Sequence, residues 1–192
     1  MCLLGFSSGL PFLLVSYTLS FWLKQNGIVL KEITMIASAG MTYGFKFAWA
    51  PLLDHWRLPL LARLGQRRGW LLLAQVGVAA GLLAMAALTP RQLPLFVAAT
   101  LFVAFMGATQ DIAIDAYRIE IAPPSAQGAL VATYSLGYRL GLLVSGALAL
   151  ILADHIRWAQ IYVLMAVAMA VPVLVTLAMH EPDVLRTAPA SW

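Results

Sequence analysis

The stretch GATQDIAIDAYRIE, residues 107–120, decides how this chain is interpreted. It continues an apolar helical run, yet it carries Asp111, Asp115, Arg118 and Glu120. At about 100° per residue, Asp111, Asp115 and Arg118 fall within an arc of about 60°, so they form one charged stripe along a helix. In lipid each such charge costs about 2.5–3.5 kcal/mol near the helix centre. We therefore expect the stripe to face protein, water or a partner charge.

The composition is that of a membrane protein. Of the 192 residues, 62% are hydrophobic and 10% are charged, whereas about 25% of a soluble domain is charged. The net charge of +4 comes without a long basic run, so we expect no nucleic-acid partner. The single cysteine, Cys2, excludes an intrachain disulfide, and the three histidines lie far apart in sequence, so we expect no metal site.

Six stretches are long and apolar enough to cross a membrane, which takes about 20 residues per helix. They lie near residues 2–23, 33–53, 70–89, 94–118, 129–153 and 158–179, between Pro, Gly and charge clusters that end helices. We predict an all-α membrane protein with a six-helix transmembrane unit at 1–180 and a cytoplasmic tail or linker at 181–192. Because an apolar stretch begins at the first residue, we expect a truncated N-terminus.

The positively charged residues predict the orientation. One side of the predicted unit holds Arg57, Arg63, Arg67, Arg68, Arg118 and Arg186, and the other holds Lys24, Lys31, Arg91 and Arg157. Lys and Arg are more frequent in cytoplasmic loops, and the second loop carries most of the first group. We therefore place the second loop and both termini in the cytoplasm.

Two cations, Lys46 and Arg139, fall inside predicted spans. At 1.5 Å per residue they lie roughly 12 Å and 15 Å inside the membrane, near its midplane. No carboxylate is predicted at the same depth, so both cations suit an anionic group of a transported substrate. The alternative is that each forms a structural pair with Asp111 or with a backbone carbonyl.

The two aspartates of the stripe lie at different depths. Asp111 is about 25 Å and Asp115 about 31 Å along the fourth span, against a hydrocarbon core of about 30 Å. One turn apart, they disfavour each other's ionisation. We assign proton coupling to this pair, with Asp111 exchanging the proton and Asp115 pairing with Arg118. An enzyme that uses the pair as catalytic carboxylates is disfavoured, because one helix alone does not converge on a substrate.

The remaining charges near the boundary form a second predicted group. We expect a cytoplasmic charge cluster at the second loop, consisting of Asp54, Arg67, Arg68, Arg118 and Glu120. Glu120 points roughly opposite to Asp111 on its helix, and we expect it to be solvated. A static cluster that also holds the two aspartates is the alternative to proton coupling.

Five motifs occur in order along the chain: GFSSGLPF at 5–12, KFAWAPLLD at 46–54, RRGW at 67–70, ATQDIAIDAYR at 108–118 and GYRLG at 137–141. Together they resemble the AmpG-type muropeptide permeases of the major facilitator superfamily. A related acetyl-coenzyme A transporter branch shares parts of this pattern. By motif, the resemblance assigns substrate binding to Lys46, Arg139, Gln110 and Tyr138, with Tyr117 beside them.

The resemblance implies a proton-driven symporter of the bacterial inner membrane. Its cargo would be anhydromuropeptides from cell-wall turnover, which are anionic glycopeptides. The proton gradient would drive transport, and no cofactor would be needed. Transporters of this superfamily have two six-helix halves, so the resemblance implies a second half as well as lipid as partners. The alternatives are an acetyl-coenzyme A-type or other organic-anion transporter, and an inactive half-length membrane protein or scaffold. The second half would come from a longer reading frame of which this chain is a part, from a different polypeptide, or from a second copy of this chain.

Overall fold

The computed structural model describes residues 1–56 and 64–182. Arg57 and Arg63 of the second loop lie outside the described residues, as does most of the predicted tail, including Arg186. Within the described ranges the regular structure is entirely helical. The α-helices are α1 Cys2–Leu14, α2 Tyr17–Gln25, α3 Leu30–Ala37, α4 Ala50–His55, α5 Gln66–Ala87, α6 Leu93–Glu120, α7 Gln127–Leu143, α8 Ala149–Ala153, α9 Trp158–Ala168 and α10 Ala170–Ala178.

Five helical stretches of the described residues are long and apolar enough to cross a membrane. They are Cys2–Gln25, Gln66–Ala87, Leu93–Glu120, Pro124–Ala153 and Trp158–Ala178. These stretches match the first, third, fourth, fifth and sixth spans predicted from hydropathy. The prediction of an all-α membrane protein is confirmed.

The second predicted span, at 33–53, is not one continuous α-helix. It consists of α3, a 3₁₀ segment at Ser38–Ala48 and α4. The 3₁₀ segment contains Gly40 and Gly44, which favour the helical conformation least after proline. It packs along α6, where the indole of Trp49 donates a hydrogen bond of 3.1 Å to the hydroxyl of Thr109. The segment that carries Lys46 therefore lies beside the charged stripe of α6.

Helices α1 and α7 run parallel in close contact. A Cβ added to Gly137 or Gly141 would overlap the backbone of α1, and one added to Gly5 or Gly9 would overlap the backbone of α7. Small residues at four-residue spacing allow such an approach between membrane helices. The glycines of the first and fifth spans therefore serve close packing of these two helices.

The α-helix is interrupted once in the first span and once in the fifth. At each interruption a side-chain hydroxyl donates a hydrogen bond to a backbone carbonyl. The first span breaks between α1 and α2, and the phenol of Tyr162 donates a 2.6 Å hydrogen bond to the carbonyl of Leu14. The fifth span contains a π-helical turn at Val144–Leu148, and the hydroxyl of Thr18 donates a 2.7 Å bond to the carbonyl of Ser145. Carbonyls left without a partner in a membrane are costly, so these contacts make the breaks tolerable.

Candidate functional site

Four charged side chains form an alternating row where the 3₁₀ segment meets α6. The ammonium of Lys46 lies 4.0 Å from Asp111 Oδ2 and 3.5 Å from Asp115 Oδ2, and Arg118 Nη2 lies 3.3 Å from Asp115 Oδ1. Two cations and two carboxylates thus balance one another. We call Lys46, Asp111, Asp115 and Arg118 the charge row.

The charge row confirms one expectation and corrects another. The predicted contact of Asp115 with Arg118, three residues apart on α6, is present. The expectation that no carboxylate lies at the depth of Lys46 is wrong, because Lys46 contacts both aspartates. A depth counted at 1.5 Å per residue gives the position of the α-carbon, whereas the long lysine stem can carry its ammonium toward the end of the span. The substrate and proton roles of these residues remain predictions.

Asp111 is the most buried carboxylate of the row. Its side chain is 13% exposed, against 42% for Asp115. Its Oδ1 atom is buried and has no hydrogen-bond partner among the described residues. The phenols of Tyr43, Tyr134 and Tyr138 lie within electrostatic range of the carboxylate. Asp111 is therefore a largely buried carboxylate with several phenols in its surroundings.

Ser8 and Gln110 extend this polar region into the helix bundle. Ser8 lies on α1 beside Asp111 and Tyr134, and its buried hydroxyl makes no hydrogen bond of standard geometry within the described residues. Gln110 is fully buried, and neither its amide nitrogen nor its oxygen has a partner there. The structure thus places Gln110 inside the unit, whereas a substrate contact needs access. Its predicted role in substrate binding remains untested.

Arg139 and Tyr138 occupy a different place from Lys46. They line an open cleft of about 280 Å³ together with Tyr134 and Ser135 on α7. Arg139 is exposed, and within residues 1–56 and 64–182 no carboxylate forms an ion pair with it. Arg139 is consequently available to an external anion, whereas Lys46 already has carboxylate partners.

A second network joins the ends of α4, α5 and α6. The guanidinium Nε of Arg67 donates hydrogen bonds of 3.0 and 2.9 Å to the two carboxylate oxygens of Glu120. Its Nη1 donates a 2.7 Å bond to Asp54 Oδ1. The side chains of Arg67 and Glu120 are 10% and 17% exposed. The expectation that Glu120 is solvated is wrong, because Arg67 of α5 contacts it. A helical wheel of α6 shows only residues of α6 and therefore did not include this contact.

Arg68 and Arg118 do not join this network directly. Arg68 donates to the carbonyls of Thr176 and Leu177 in the last turn of α10, at 3.1 and 2.6 Å. Arg118 lies in the charge row and over the ring of Tyr134, with 5.9 Å from Cζ to the ring centroid. The five residues predicted as one cluster therefore divide among three sets of partners.

The sequence-based prediction missed Glu181, which it placed in the tail. The Glu181 carboxylate accepts hydrogen bonds from the backbone N–H groups of Arg67 and Arg68, at 2.7 and 3.0 Å. A carboxylate in this position satisfies free N–H groups at a helix start and complements the helix dipole. Gly65, with φ of +96°, precedes this helix and leaves room for the carboxylate. The sequence did contain a signal for this contact. Glu181 follows the last span on the same predicted side of the membrane as Arg67 and Arg68.

Comparison with known proteins identifies relatives along the whole chain. The sequence profile of the Major Facilitator Superfamily matches residues 1–192. The chain is 43% identical over 182 residues to the anhydromuropeptide permease of Escherichia coli (strain K12), covering 94% of this chain and 36% of that protein. It is 35% identical over 187 residues to the putative transporter AmpG 4 of Rickettsia conorii, covering 96% and 45%. The chain thus spans less than half the length of these relatives.

Proposed function

The chain belongs to the major facilitator superfamily, and we propose that it forms one six-helix half of a proton-coupled symporter that imports anhydromuropeptides. The similarity to a permease of this substrate class supports the cargo. The motifs at 108–118 and 137–141, which carry the resemblance, also carry Asp111 and Arg139. A transport function accounts for charges in helices that are otherwise suited to lipid, whereas a passive scaffold does not need them.

The charge row is the observation that carries the proposal. When Asp111 is ionised, it balances Lys46 across 4.0 Å. When Asp111 is protonated, Lys46 retains Asp115 at 3.5 Å as its counter-ion. Asp115 also pairs with Arg118 at 3.3 Å, so protonation of Asp111 leaves two cations to share one carboxylate. Lys46 then keeps a counter-ion but is only partly compensated, which favours an incoming substrate anion within the membrane. A carboxyl group whose protonation changes the charge balance in this way suits proton coupling.

Arg139 is the cation that we assign to the substrate. It is exposed beside an open cleft, and a planar guanidinium can bind a carboxylate through two hydrogen bonds. The peptide of an anhydromuropeptide supplies such carboxylates. We propose that Lys46 joins the substrate site when protonation of Asp111 weakens its hold on the row.

A second six-helix unit completes the transporter in this proposal. The cleft of Arg139 is open, and Asp115 is 42% exposed, so both need a polar or protein surface over them in the membrane. Superfamily transporters bind their substrates between two halves near the midplane. The other half would come from a longer form of this protein or from another chain. We place the assembly in the bacterial inner membrane with its termini in the cytoplasm, driven by the proton gradient without a cofactor.

The proposal is tested by uptake of labelled anhydromuropeptide into vesicles that hold the chain together with its second half. We expect an acidic exterior to drive uptake in the unmodified protein. The Asp111→Asn variant should lose this dependence on the gradient while still exchanging substrate across the membrane. Arg139→Gln should lower uptake with or without a gradient, and Lys31→Gln, a change at an exposed cation outside the site, is the control.

Two results would contradict parts of the proposal. Uptake by Asp111→Asn that still followed the pH gradient would exclude Asp111 as the coupling residue. Uptake of acetyl-coenzyme A without uptake of anhydromuropeptide would transfer the chain to the related organic-anion branch.

A further inference from the structure

Two tyrosines on α7 present aromatic rings to the cleft beside Arg139. Tyr134 and Tyr138 are one turn apart, their ring centroids are separated by 6.3 Å, and their planes differ by 33°. Both residues line the open cleft of about 280 Å³. The cleft therefore has an aromatic wall next to a cation that no described carboxylate occupies.

Hydroxyl groups lie along the same wall. Tyr134 and Tyr138 carry phenols, and Ser135 adds an aliphatic hydroxyl at the cleft. Phenols and hydroxyls can both donate and accept hydrogen bonds. This combination of aromatic rings with hydroxyl groups matches a pyranose ring, which has an apolar C–H face and a rim of hydroxyl groups.

The aromatic wall is held in place by contacts on its other sides. The backbones of Tyr134 and Tyr138 lie against Gly5 and Gly9 of α1, without space for a Cβ between them. The guanidinium of Arg118 lies over one side of the Tyr134 ring, with 5.9 Å from Cζ to the ring centroid. A surface that is already ordered loses less entropy when a ligand binds, so this wall is preorganised.

We propose that Tyr134 and Tyr138 form a sugar subsite, on which a pyranose ring of the glycopeptide stacks while Arg139 binds a carboxylate of its peptide. The inference rests on the proposed function for the identity of the ligand. It adds a division of the cleft, with the glycan on the tyrosines and the anionic group on the next residue of the same helix. Tyr134 thereby joins Tyr138 as a residue that determines specificity for a sugar-bearing cargo.

The experiment measures binding of two separate fragments to the whole chain in lipid nanodiscs by saturation-transfer NMR. One fragment is a neutral disaccharide of N-acetylglucosamine, and the other is the free peptide of the cargo. Tyr138→Leu and Tyr134→Leu should each weaken disaccharide binding about three- to tenfold, from the loss of one stacking ring. Peptide binding should stay unchanged in both variants.

Matched variants separate stacking from loss of structure. Tyr138→Phe and Tyr138→Trp keep an aromatic face and should retain disaccharide binding within about twofold, and Tyr17→Leu changes a tyrosine that lies outside the cleft. Arg139→Gln should weaken the peptide and not the disaccharide. If the leucine variants bind the disaccharide as well as the unmodified chain does, the sugar subsite is wrong, and the same holds if the unmodified chain gives no saturation transfer to it.

Fragment binding also separates this inference from the proposed function. Disaccharide binding that depends on the tyrosines, in a protein that does not take up anhydromuropeptide, would support the subsite and contradict the transport proposal. If Tyr134→Leu and Tyr138→Leu both take up anhydromuropeptide as well as the unmodified protein does, the result would support transport and overturn the subsite.

Discussion

Replacement of Arg67 by methionine removes the cation that joins the ends of α4, α5 and α6. The side chain of Arg67 is 10% exposed, donates to Glu120 through Nε and Nη2, and donates to Asp54 through Nη1. Methionine keeps much of the volume and the backbone N–H group that donates to Glu181. The substitution therefore isolates the ionic contacts, and it leaves Glu120 without its partner.

The expected loss of stability follows from the burial of each partner. Removing one member of a buried ion pair costs about 3–5 kcal/mol, because the other charge stays buried and uncompensated. Glu120 is 17% exposed and retains some access to water, so we expect about 2–3 kcal/mol for Arg67→Met. Asp54 is 53% exposed, and an exposed pair is worth about 0–1 kcal/mol. We therefore expect Asp54→Asn to have the smaller effect.

The assay is reversible unfolding in mixed micelles, with helicity followed by circular dichroism as the denaturing detergent increases. Glu120→Met is measured alone and together with Arg67→Met. Because the double variant buries no uncompensated charge, it should be more stable than the sum of the single losses predicts, with a coupling energy of about 1.5–2 kcal/mol.

Two outcomes would refute this reasoning. Single variants that lose less than about 0.5 kcal/mol would place the Arg67 contacts among exposed pairs of little energetic value. Additive losses in the double variant would mean that Arg67 and Glu120 stabilise the unit through separate contacts.

Two further predictions concern helix packing. Gly137→Ala should lower the melting temperature in nanodiscs and separate α1 from α7, because its Cβ would overlap the carbonyl of Cys2, whereas Gly128→Ala, with no atom within 4 Å of its Cβ, should not; equal melting temperatures would contradict the close approach. Tyr162→Phe should cost about 1–2 kcal/mol in the same unfolding assay, because the buried carbonyl of Leu14 loses its 2.6 Å hydrogen bond; a loss below about 0.3 kcal/mol would show that this carbonyl has another partner.

Hydropathy alone located most of the fold. Each predicted span except the second corresponds to a helical stretch of membrane-spanning length. The second span has a suitable composition, but two glycines within eleven residues weaken the α-helix, and Ser38–Ala48 is a 3₁₀ segment. A hydropathy count averages over a window and does not distinguish these helical conformations.

The site was predictable where its residues lie on one helix. Asp115 and Arg118 are three positions apart, so helical geometry places them together in any fold that keeps α6. Tyr43 and Ser8, by contrast, lie on other elements than Asp111 and became visible as its neighbours only after the helices were packed. The spacing of residues along one helix contains no information about such contacts.

The sequence by itself determined the class of the protein, the charged stripe and the family, because composition, helical periodicity and motifs are local properties of the chain. Tertiary structure alone decided which charges on different elements are paired. Lys46 lies against Asp111 and Asp115, Arg67 lies against Glu120, and Arg139 has no carboxylate partner among the described residues. The physical reason is that an ion pair between helices depends on their relative rotation and depth, and many side-chain contacts along the whole bundle set both.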